Sequence, residues 1–428
     1  MTLAVRPARY LAAALALAGL AACSAPTIQD RACTGLLFDA PGGAVFSSKS
    51  HGTTGVSPAE ALQITVADRM SRLIAARAGP EPEAVMTMPP AAASRLSAQV
   101  VIPTRRTVDI ALLAMTTGGQ YGSFSSGFLT GWGERETGKR PEFAVVTGAS
   151  AGGIIAPLVF AGPEFDARLK LNTGIGERDV IRRRSPLELL SASSLFSTAP
   201  LQRAVRNAVD DTLVQAIATR WQDGNDLFLG ATNLDKGRFD LFDIGAFLSS
   251  PTVDPAQKRN CLVGAVLATS AIPALFPPQR INGDLYTDAA VRQSVFLQGV
   301  RDGIAESERL LGVDVRVTAY VLVNGDLTVP EAMPKGGLLG VAERTFELVS
   351  DEGLRQSLIE TADLARQSGW RLRAVRAPEF DALGCGKDGD LFSPCVTNAL
   401  FDAGRVMALQ PTIDWLTGQQ LKDLARRY

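Results

Sequence analysis

The sequence predicts an α/β fold, with a mainly parallel sheet covered by helices on both faces. Two observations support this prediction along the chain. Short apolar runs with the length of buried strands recur, and helical patterns separate them. Such alternation is typical of a parallel sheet, because parallel strands need a crossover connection, which is usually a helix. The predicted strands lie near residues 108–115, 142–147, 226–232, 281–287 and 313–324, and helical patterns include 255–270 and 338–367.

A strand, a tight turn and a helix follow one another around Ser150. The apolar run 142–147 precedes Gly-Ala-Ser-Ala-Gly at residues 148–152, and residues 152–160 continue as an apolar helix. This G-x-S-x-G pattern is typical of a nucleophile elbow, in which small neighbours let a strained turn expose the serine hydroxyl. The pattern therefore predicts that Ser150 is a catalytic nucleophile.

A serine nucleophile needs a proton acceptor, and the usual histidine is missing after Ser150. The chain has one histidine, His51, far upstream in a polar stretch rich in glycine and serine. In α/β-hydrolases the order is serine, acid, histidine, so the base follows the nucleophile. Either the elbow is a coincidence, or another group activates the serine, and we expect that group to be a carboxylate.

A glycine-rich loop follows the first predicted strand. The apolar run 108–115 ends in Thr-Thr-Gly-Gly-Gln-Tyr-Gly at residues 116–122. A loop of this kind that enters a helix can present consecutive backbone N–H groups to an anion. In an esterase that anion would be the oxyanion of a tetrahedral intermediate. The alternative is a glycine-rich turn that binds no ligand. The predicted oxyanion-hole residues are Gly118, Gly119, Gln120 and Gly122.

Asp288 is the candidate partner of the serine. Residues 267–278 have the pattern of a helix end broken by prolines, and Ile-Asn-Gly-Asp-Leu-Tyr-Thr-Asp-Ala-Ala follows at residues 281–290. Because two alanines follow Asp288, it can occupy a tight turn at the end of a strand, where a carboxylate can reach a neighbouring hydroxyl. Asp284, four residues earlier, is the alternative partner.

Together these segments resemble the patatin-like phospholipase family, and the resemblance spans residues 106 to 410. The glycine-rich loop, the G-x-S-x-G serine and the aspartate stand in the family's order. The stretches 227–237 and 268–278 resemble two further segments of the family. Five matches in the correct order are far more specific than any one of them.

The resemblance implies a fold, an activity and roles for particular residues. It implies a patatin-like sheet, a Ser150–Asp288 dyad without histidine, and an oxyanion loop that maps onto Gly118, Gly119 and Gly122. The implied activity is that of a serine lipid acyl hydrolase, a phospholipase A or lysophospholipase-like esterase. Its substrate would be a lipid or another acyl ester, and it would need no cofactor.

Three residues depart from the family pattern. Thr117 stands where the oxyanion loop usually begins with glycine, Tyr121 stands where a basic residue is common, and Ala289 replaces the glycine after the aspartate. An alanine at position 289 is tolerable if its φ is negative and strained if its φ is positive. Two alternatives therefore stay open: a catalytically silent binding or scaffold protein of the same fold, and an acyltransferase.

The N-terminus predicts export and lipidation. Arg6 and Arg9 precede an apolar run at residues 10–22, which is too short to span a bilayer and has the layout of a secretory signal. The run leads into Leu-Ala-Ala-Cys, which resembles the lipobox of bacterial lipoproteins, so we expect Cys23 to be lipidated after cleavage. Ser24 at the next position favours the outer membrane, facing the periplasm. The alternative is an ordinary signal peptide with an incidental cysteine.

Composition limits the remaining possibilities. Lys and Arg number 43 against 44 Asp and Glu, so the formal net charge is −1 and no nucleic-acid partner is indicated. We predict four regions of the chain. These are a lipoprotein signal peptide at 1–22, a tether and N-terminal extension at 23–105 with a helix over 58–78, an acyl hydrolase domain at 106–410, and a C-terminal helix at 411–428.

Four cysteines remain beyond Cys23. In an oxidising periplasm they can pair. Cys385 and Cys395 bracket a loop rich in glycine and aspartate and are the candidate disulfide, whereas Cys261 lies in an apolar helix and is expected to be a buried thiol. No cysteine has the spacing of a zinc ligand, so no metal site is predicted.

Overall fold

We describe the fold from a computed structural model of the 428-residue chain. The structure describes residues 28–37, 39–40, 44–45, 58–78, 105–325, 327, 337–386 and 391–427. The predicted signal peptide, the lipidation site Cys23 and the histidine His51 lie outside the described residues.

The described chain alternates strands and helices from end to end. The strands are β1 (Asp30–Arg31), β2 (Asp39–Ala40), β3 (Ala44–Val45), β4 (Thr107–Met115), β5 (Phe143–Ala149), β6 (Arg182–Arg183), β7 (Phe196–Ser197), β8 (Asp226–Asn233), β9 (Arg238–Asp243), β10 (Gln279–Ile281), β11 (Asp284–Thr287), β12 (Asp314–Val323) and β13 (Arg371–Arg376). The α-helices are α1 (Pro58–Ala78), α2 (Gly122–Glu134), α3 (Ala151–Ala161), α4 (Asp166–Leu169), α5 (Glu177–Val180), α6 (Pro186–Leu189), α7 (Ala199–Ala208), α8 (Asp211–Gln222), α9 (Ile244–Ser249), α10 (Pro255–Thr269), α11 (Gln298–Leu311), α12 (Leu338–Gln367), α13 (Pro394–Leu409) and α14 (Gly418–Arg426).

One large sheet organises the molecule. Its strands follow the order β1-β10-β11-β8-β5-β4-β12-β13, and β9 also pairs with β8. The pairs from β8 through β5, β4 and β12 to β13 are all parallel. Antiparallel pairing is found where β8 meets β9 and β11, and in the β10–β11 hairpin. The predicted α/β fold with a mainly parallel sheet is confirmed. Strands β1, β9 and β13 are additions to it, and the strand predicted near 281–287 is the β10–β11 hairpin.

Helices cover both faces of this sheet. Along β4, Leu113 and Met115 belong to one buried cluster, together with residues of α2 and α3. Leu112 and Ala114, which point the opposite way, belong to a second cluster with residues of α1, α11 and α12. Successive side chains of a strand alternate between faces, so a strand that is apolar at every position must be covered on both sides. No helix in the described part of the chain has the length and apolarity needed to cross a bilayer.

The described part of the N-terminal extension packs on the domain. The edge strand β1 pairs in parallel with β10, and Arg31 lies opposite Ile281 in the register. Two residues later, Cys33 forms a disulfide with Cys261 of α10. The expectation of a free thiol at Cys261 is therefore wrong. The pairing of β1 brings Cys33 to the buried surface of α10, and nothing in the local sequence of α10 indicates this.

The helix predicted over residues 58–78 is present as α1, and it carries a buried cation. Arg69 donates to Asp226 at 2.8 Å and to Asp243 at 2.7 Å, and all three side chains are less than a tenth exposed. Burial alone would lower the pKa of Arg69, but the two carboxylates raise it above its ordinary value. Asp226 and Asp243 belong to β8 and β9, so this extension supplies the counter-charge for two acids inside the sheet domain.

Near the C-terminus, helix α13 packs closely against α2, the helix that follows the glycine-rich loop. The approach requires glycine at two positions: a side chain at Gly127 would collide with the backbone of Phe401, and one at Gly404 with the backbone of Phe124. A second disulfide joins Cys385 to Cys395 at the start of α13.

Candidate active site

The ends of β5 and β11 converge on β8. Strand β5 runs parallel to β8, and its last residue, Ala149, pairs with Gly230. Strand β11 runs antiparallel, and its last residue, Thr287, pairs with Thr232. Because β9 occupies the other side of β8 along this stretch, β5 and β11 share one side and approach each other end to end. The residues that follow them therefore meet, although 138 positions separate them in the sequence.

Ser150 occupies the turn between β5 and α3 with an unusual backbone. Its φ is 50° and its ψ is −119°, a region that non-glycine residues rarely adopt and that is strained by about 1–3 kcal/mol. The glycines on either side allow the tight packing that holds this turn. A side chain at Gly148 would lie 2.6 Å from the carbonyl oxygen of Gly152, and one at Gly152 would lie 2.4 Å from that of Met115. The backbone has the strained geometry expected of a nucleophile elbow.

Ser150 and Asp288 are directly hydrogen-bonded. The Ser150 hydroxyl donates to Oδ2 of Asp288 at 2.8 Å. Asp288 is 1% exposed and Ser150 is 6% exposed, so water scarcely reaches the pair. The structure thus brings together the serine and the aspartate that the sequence pattern singled out.

Asp288 is fixed by backbone and side-chain hydrogen bonds. Its Oδ1 accepts the N–H of Ala290 at 2.8 Å, its own N–H donates to the carbonyl of Ala271 at 2.9 Å, and its carbonyl accepts the Thr232 hydroxyl at 2.9 Å. Ala289 begins a single 3₁₀ turn, and it is not among the residues with positive φ. The alanine at this position therefore introduces no backbone strain.

Burial controls the acidity of Asp288. Removal of the carboxylate from water raises the pKa of Asp288 to about 7, although the hydrogen bonds from Ala290 and Ser150 lower it. A carboxyl group with this pKa is a far better proton acceptor near neutral pH than an exposed aspartate.

Asp284, the alternative partner, lies in a different network. Its Oδ2 accepts from Lys236 at 2.5 Å and from the amide of Asn233 at 3.0 Å. Those contacts hold it at the start of β11, whereas Asp288 lies just beyond the end of the same strand. Of the two aspartates, the structure therefore pairs only Asp288 with Ser150.

The glycine-rich loop leads from β4 into α2 beside the serine. Gly118 has a φ of 153°, and a side chain there would lie 1.3 Å from the carbonyl oxygen of Asn324, so glycine is required. Within the described residues, no acceptor takes the backbone N–H of Gly119 or Gln120. Gly119 has a φ of 54° and forms the first residue of a single 3₁₀ turn. Unpaired donors at the start of a helix can bind an anion.

The departures at the loop do not disrupt it. Thr117 is buried, its hydroxyl lies 2.9 Å from that of Ser294, and its φ is not positive. Tyr121 is partly buried and packs against the core cluster beneath the loop. The side chain of Gln120 accepts the N–H of Ser393, just before α13. Of the predicted oxyanion residues, Gly118, Gly119 and Gln120 lie in this loop, whereas Gly122 is the first residue of α2 and its N–H donates to carbonyls of the 3₁₀ turn.

A small apolar cavity lies beside the elbow serine and the glycine-rich loop. It has a volume of about 80 Å³, and its walls include Ser150, Gly119, Gln120 and Gly122. Side chains such as Ile155, Ile272 and Phe276 form the remaining apolar surface. Asp288 is not among the residues that line this cavity, and it contacts the lining residue Ser150 through the hydroxyl group.

Sequence reasoning missed two residues that hold the site in place. Asn324, just after β12, donates its amide to the carbonyl of Thr116 at 3.0 Å, and its backbone N–H donates to the Thr116 hydroxyl at 2.8 Å. The same carbonyl accepts the N–H of Gly152 at 3.2 Å, which links the glycine-rich loop to the elbow. Thr269, the last residue of α10, accepts the N–H of Ser150 on its hydroxyl at 3.0 Å. Asn324 lies outside the segments that resemble the family, and Thr269 lies within the stretch 268–278, whose resemblance gives it no individual role.

Thr269→Val is expected to reduce the free energy of unfolding by about 1–3 kcal/mol, because valine keeps the shape but leaves the buried Ser150 N–H without an acceptor. Urea unfolding followed by circular dichroism measures the loss. Thr345→Val is the matched control, since Thr345 is exposed on α12, and it should change stability by less than about 0.5 kcal/mol. Equal effects of the two substitutions would contradict a supporting role for Thr269.

One protein family matches the part of the chain that carries this geometry. Residues 113–300 match the model of a family described as patatin-like phospholipase. This range contains the glycine-rich loop, the elbow serine and Asp288. No curated protein matches the sequence.

Among solved structures, the crystal structure of VipD from Legionella pneumophila is similar, with a TM-score of 0.34 and 12% sequence identity. The similarity covers 70% of this chain and 66% of that chain. The match over residues 113–300, with the site geometry inside it, identifies this part of the chain as a patatin-like phospholipase domain.

Proposed function

We propose that this protein is a serine acyl hydrolase that cleaves carboxylic esters of lipids through a Ser150–Asp288 dyad. The observation that carries the proposal is the 2.8 Å hydrogen bond from a serine in a strained elbow to a buried aspartate. The family match over residues 113–300 supports a lipid ester as the substrate. The unpaired N–H groups of Gly119 and Gln120 beside the same cavity support an ester carbonyl as the group that reacts there.

The first half of the reaction forms an acyl-enzyme. The Ser150 oxygen attacks the ester carbonyl carbon while its proton passes to Oδ2 of Asp288. The carbonyl oxygen becomes an oxyanion, and the N–H groups of Gly119 and Gln120 stabilise it. Loss of one such donor typically lowers kcat by about 10²–10³-fold. The carbon–oxygen bond to the alcohol then breaks, and Asp288 returns the proton to the departing oxygen.

The second half hydrolyses the acyl-enzyme. A water molecule attacks the acyl carbon while Asp288 takes one of its protons. The bond from the acyl carbon to Ser150 then breaks, the serine oxygen regains a proton from Asp288, and a fatty acid leaves. An acyltransferase would share the first half and differ only in the acceptor, so the released product distinguishes the two activities.

Covalent labelling tests the proposal. A fluorophosphonate ester is incubated with the purified chain lacking residues 1–23, and the modified residue is mapped by mass spectrometry. We expect label on Ser150 in the wild type and none in Ser150→Ala, together with release of free fatty acid from phospholipid vesicles. A folded wild-type protein that takes no label would favour the silent scaffold instead.

The pKa of Asp288 predicts the pH dependence of the reaction. The carboxylate must be ionised to accept the serine proton, and burial raises its pKa to about 7. We therefore expect kcat/KM for a soluble ester to increase with pH through an apparent pKa near 7 and to level off above it. A pH–rate profile between pH 5 and pH 9 checks this expectation. An increase in kcat/KM centred near pH 4, at the ordinary aspartate pKa of about 4, would contradict it.

We also propose that the protein is anchored to the outer membrane through lipid on Cys23 and faces the periplasm. The sequence before Cys23 supports the anchor, and the two disulfides of the described residues suit an oxidising compartment. Metabolic labelling with palmitate should mark the wild type and not Cys23→Ser. Incorporation of the label by Cys23→Ser would contradict the assignment.

A further inference from the structure

The most exposed large apolar side chains of the described residues lie in one stretch of the chain. Leu187 is 79% exposed, Leu190 is 76% exposed and Leu171 is 67% exposed, and Leu189 is exposed as well. Leu187 and Leu190 are three residues apart on the helical turn α6, so they project from the same side of it. Single exposed leucines are common on protein surfaces, whereas a cluster of them marks a site of contact with a protein or a membrane.

Three of these leucines stand at the tip of an ordered hairpin. Strands β6 and β7 pair antiparallel, and α6 lies between them. We call residues 182–197 the leucine hairpin. The Ser185 hydroxyl accepts the N–H of Glu188, and the Glu188 carboxylate accepts the N–H of Ser185 in return, which caps the first turn of α6. Arg182 forms an ion pair with the same carboxylate at 2.8 Å. Local hydrogen bonds therefore hold the tip in shape while its leucines remain exposed.

The leucine hairpin begins and ends beside the catalytic cavity. Val180, two residues before β6, lines that cavity. On the returning strand, the N–H of Phe196 donates to the carbonyl of Leu275 at 2.9 Å. The residue after Leu275 is Phe276, which also lines the cavity. Both ends of the hairpin are thus attached to segments that form the cavity wall at Ser150.

Basic residues accompany the exposed leucines. Residues 168–210 contain eight arginines and lysines against four aspartates and glutamates, a net charge of +4 in a chain whose formal net charge is −1. Three of these arginines form ion pairs with acids of the same stretch. Arg178, Arg203 and Arg206 are exposed and form no ion pair within the described residues. Helix α5, which carries Arg178, packs against α7, which carries the other two.

This combination of leucines and arginines fits an anionic lipid bilayer. Apolar side chains of a protein on a membrane surface enter the boundary between head groups and acyl chains, while cationic side chains remain at the level of the phosphates. Each arginine near an anionic leaflet adds to the attraction. The rest of the chain has a net negative charge, so an anionic surface attracts residues 168–210 and repels the remainder. Electrostatics therefore favours one orientation, with the leucine hairpin toward the lipid.

We propose that the leucine hairpin docks the protein on an anionic lipid bilayer. Leu187 and Leu190 enter the apolar edge of the bilayer, and the exposed arginines of α5 and α7 contact lipid phosphates. This inference rests on the proposed function for the identity of the substrate, and it adds the surface through which the enzyme reaches that substrate. Since both ends of the hairpin attach to the cavity wall, docking brings the cavity at Ser150 to the lipid.

Vesicle binding tests the proposal. The chain lacking residues 1–23 and carrying Ser150→Ala has neither the proposed anchor nor the nucleophile, so it binds without hydrolysing lipid. Its partition onto equimolar phosphatidylcholine and phosphatidylglycerol vesicles is measured by sedimentation. We expect Leu187→Ser with Leu190→Ser to weaken this partition at least about tenfold, because two leucines no longer enter the bilayer. Equal partition with and without these two substitutions would overturn the proposal.

Leu310→Ser with Leu348→Ser is the matched control. These two leucines are also exposed, but they belong to α11 and α12. The control should bind vesicles as well as its parent does, and circular dichroism should show the same fold in all three proteins. A loss of binding in the control as large as that in the hairpin variant would overturn the assignment to the leucine hairpin.

The charge of the vesicle tests the part played by the arginines. Pure phosphatidylcholine vesicles should bind the parent protein at least about tenfold more weakly than the mixed vesicles, and added salt should weaken binding to the mixed vesicles alone. Equal partition onto both kinds of vesicle would overturn the anionic surface as the partner. A parent protein that binds neither vesicle would overturn the proposal and favour a protein partner.

Activity measurements separate this inference from the proposed function. In a chain that keeps Ser150, Leu187→Ser with Leu190→Ser should leave kcat/KM for soluble p-nitrophenyl butyrate unchanged and lower fatty acid release from the mixed vesicles at least about tenfold. If no ester were hydrolysed but vesicle binding behaved as expected, the proposed function would fail and the docking surface would stand. An unchanged release of fatty acid from vesicles by the hairpin variant would overturn the docking role.

Discussion

Ser150→Ala is expected to lower kcat for ester hydrolysis by about 10⁶-fold, and Asp288→Asn by about 10²–10⁴-fold. The serine supplies the only atom that bonds to the substrate in the proposed reaction, so its loss removes the covalent route. The aspartate supplies the base, and asparagine keeps its shape while losing the ability to accept a proton. Initial rates with a soluble p-nitrophenyl ester, measured with active-site titration of the wild type, give both values.

Asp284→Asn is the matched control for the aspartate. It makes the same chemical change four residues away, in a carboxylate that contacts Lys236 and Asn233 instead of the serine. We expect this variant to keep the wild-type kcat/KM. A loss in Asp284→Asn as large as that in Asp288→Asn would mean that the dyad has been assigned incorrectly.

The direction of the stability change in Asp288→Asn is also predictable. Burial raises the pKa of Asp288 to about 7 in the fold, well above its ordinary value of 3.8. The ionised form is thus disfavoured, and wild-type stability falls as pH rises from about 4 through 7. Asparagine does not ionise, so the variant should be at least as stable as the wild type at pH 8. Urea unfolding at pH 8 would therefore separate lost activity from lost folding.

Arg69→Met is expected to destabilise the protein by about 3–5 kcal/mol, the usual effect of removing one partner from a buried ion pair. The substitution leaves Asp226 and Asp243 without their shared cation inside the sheet domain. Burial raises the pKa of Asp226, and protonation would neutralise this stranded carboxylate, so the loss should be smaller at acidic pH than at pH 8. Urea unfolding at both pH values measures the difference.

Arg77→Met is the control for the arginine. Arg77 lies on the same helix, is exposed, and donates a long hydrogen bond to the carbonyl of Asp109 at 3.4 Å. We expect a change of less than about 0.5 kcal/mol. If Arg69→Met changed the free energy of unfolding as little as Arg77→Met, the N-terminal extension would not be needed to balance the charges of Asp226 and Asp243.

The parts of the site that the sequence predicts are those with strict backbone requirements. An elbow at Ser150 needs small neighbours, and a close approach at Gly118 tolerates no side chain, so both leave a readable pattern of small residues. The five predicted strand regions are likewise long or apolar enough to stand out. The pairing of Ser150 with Asp288 was implied by the resemblance to the patatin-like phospholipase family, since the local patterns alone left Asp284 open as the partner.

The parts that the sequence did not predict depend on contacts between distant segments. Strand β1 has two residues and shows no periodicity, so neither its pairing nor the Cys33–Cys261 disulfide could be anticipated. Strand β9 carries two aspartates, which disfavours a buried strand, and it is buried because Arg69 and Arg238 pair with them. Thr269 acts through one hydrogen bond to Ser150 and Asn324 through two to Thr116, and only the assembled fold creates them.

The position of β1 has a consequence for how the protein folds. Arg31 pairs with Ile281, so this edge of the sheet cannot form before some 250 intervening residues have been synthesised. Contacts over such separations raise the contact order of the chain and are slow to form. Until then Cys33 cannot pair with Cys261 and β1 is an unpaired strand, and such strands are prone to associate with other chains. Protection of this short segment until it pairs with β10 should therefore increase the yield of folded protein.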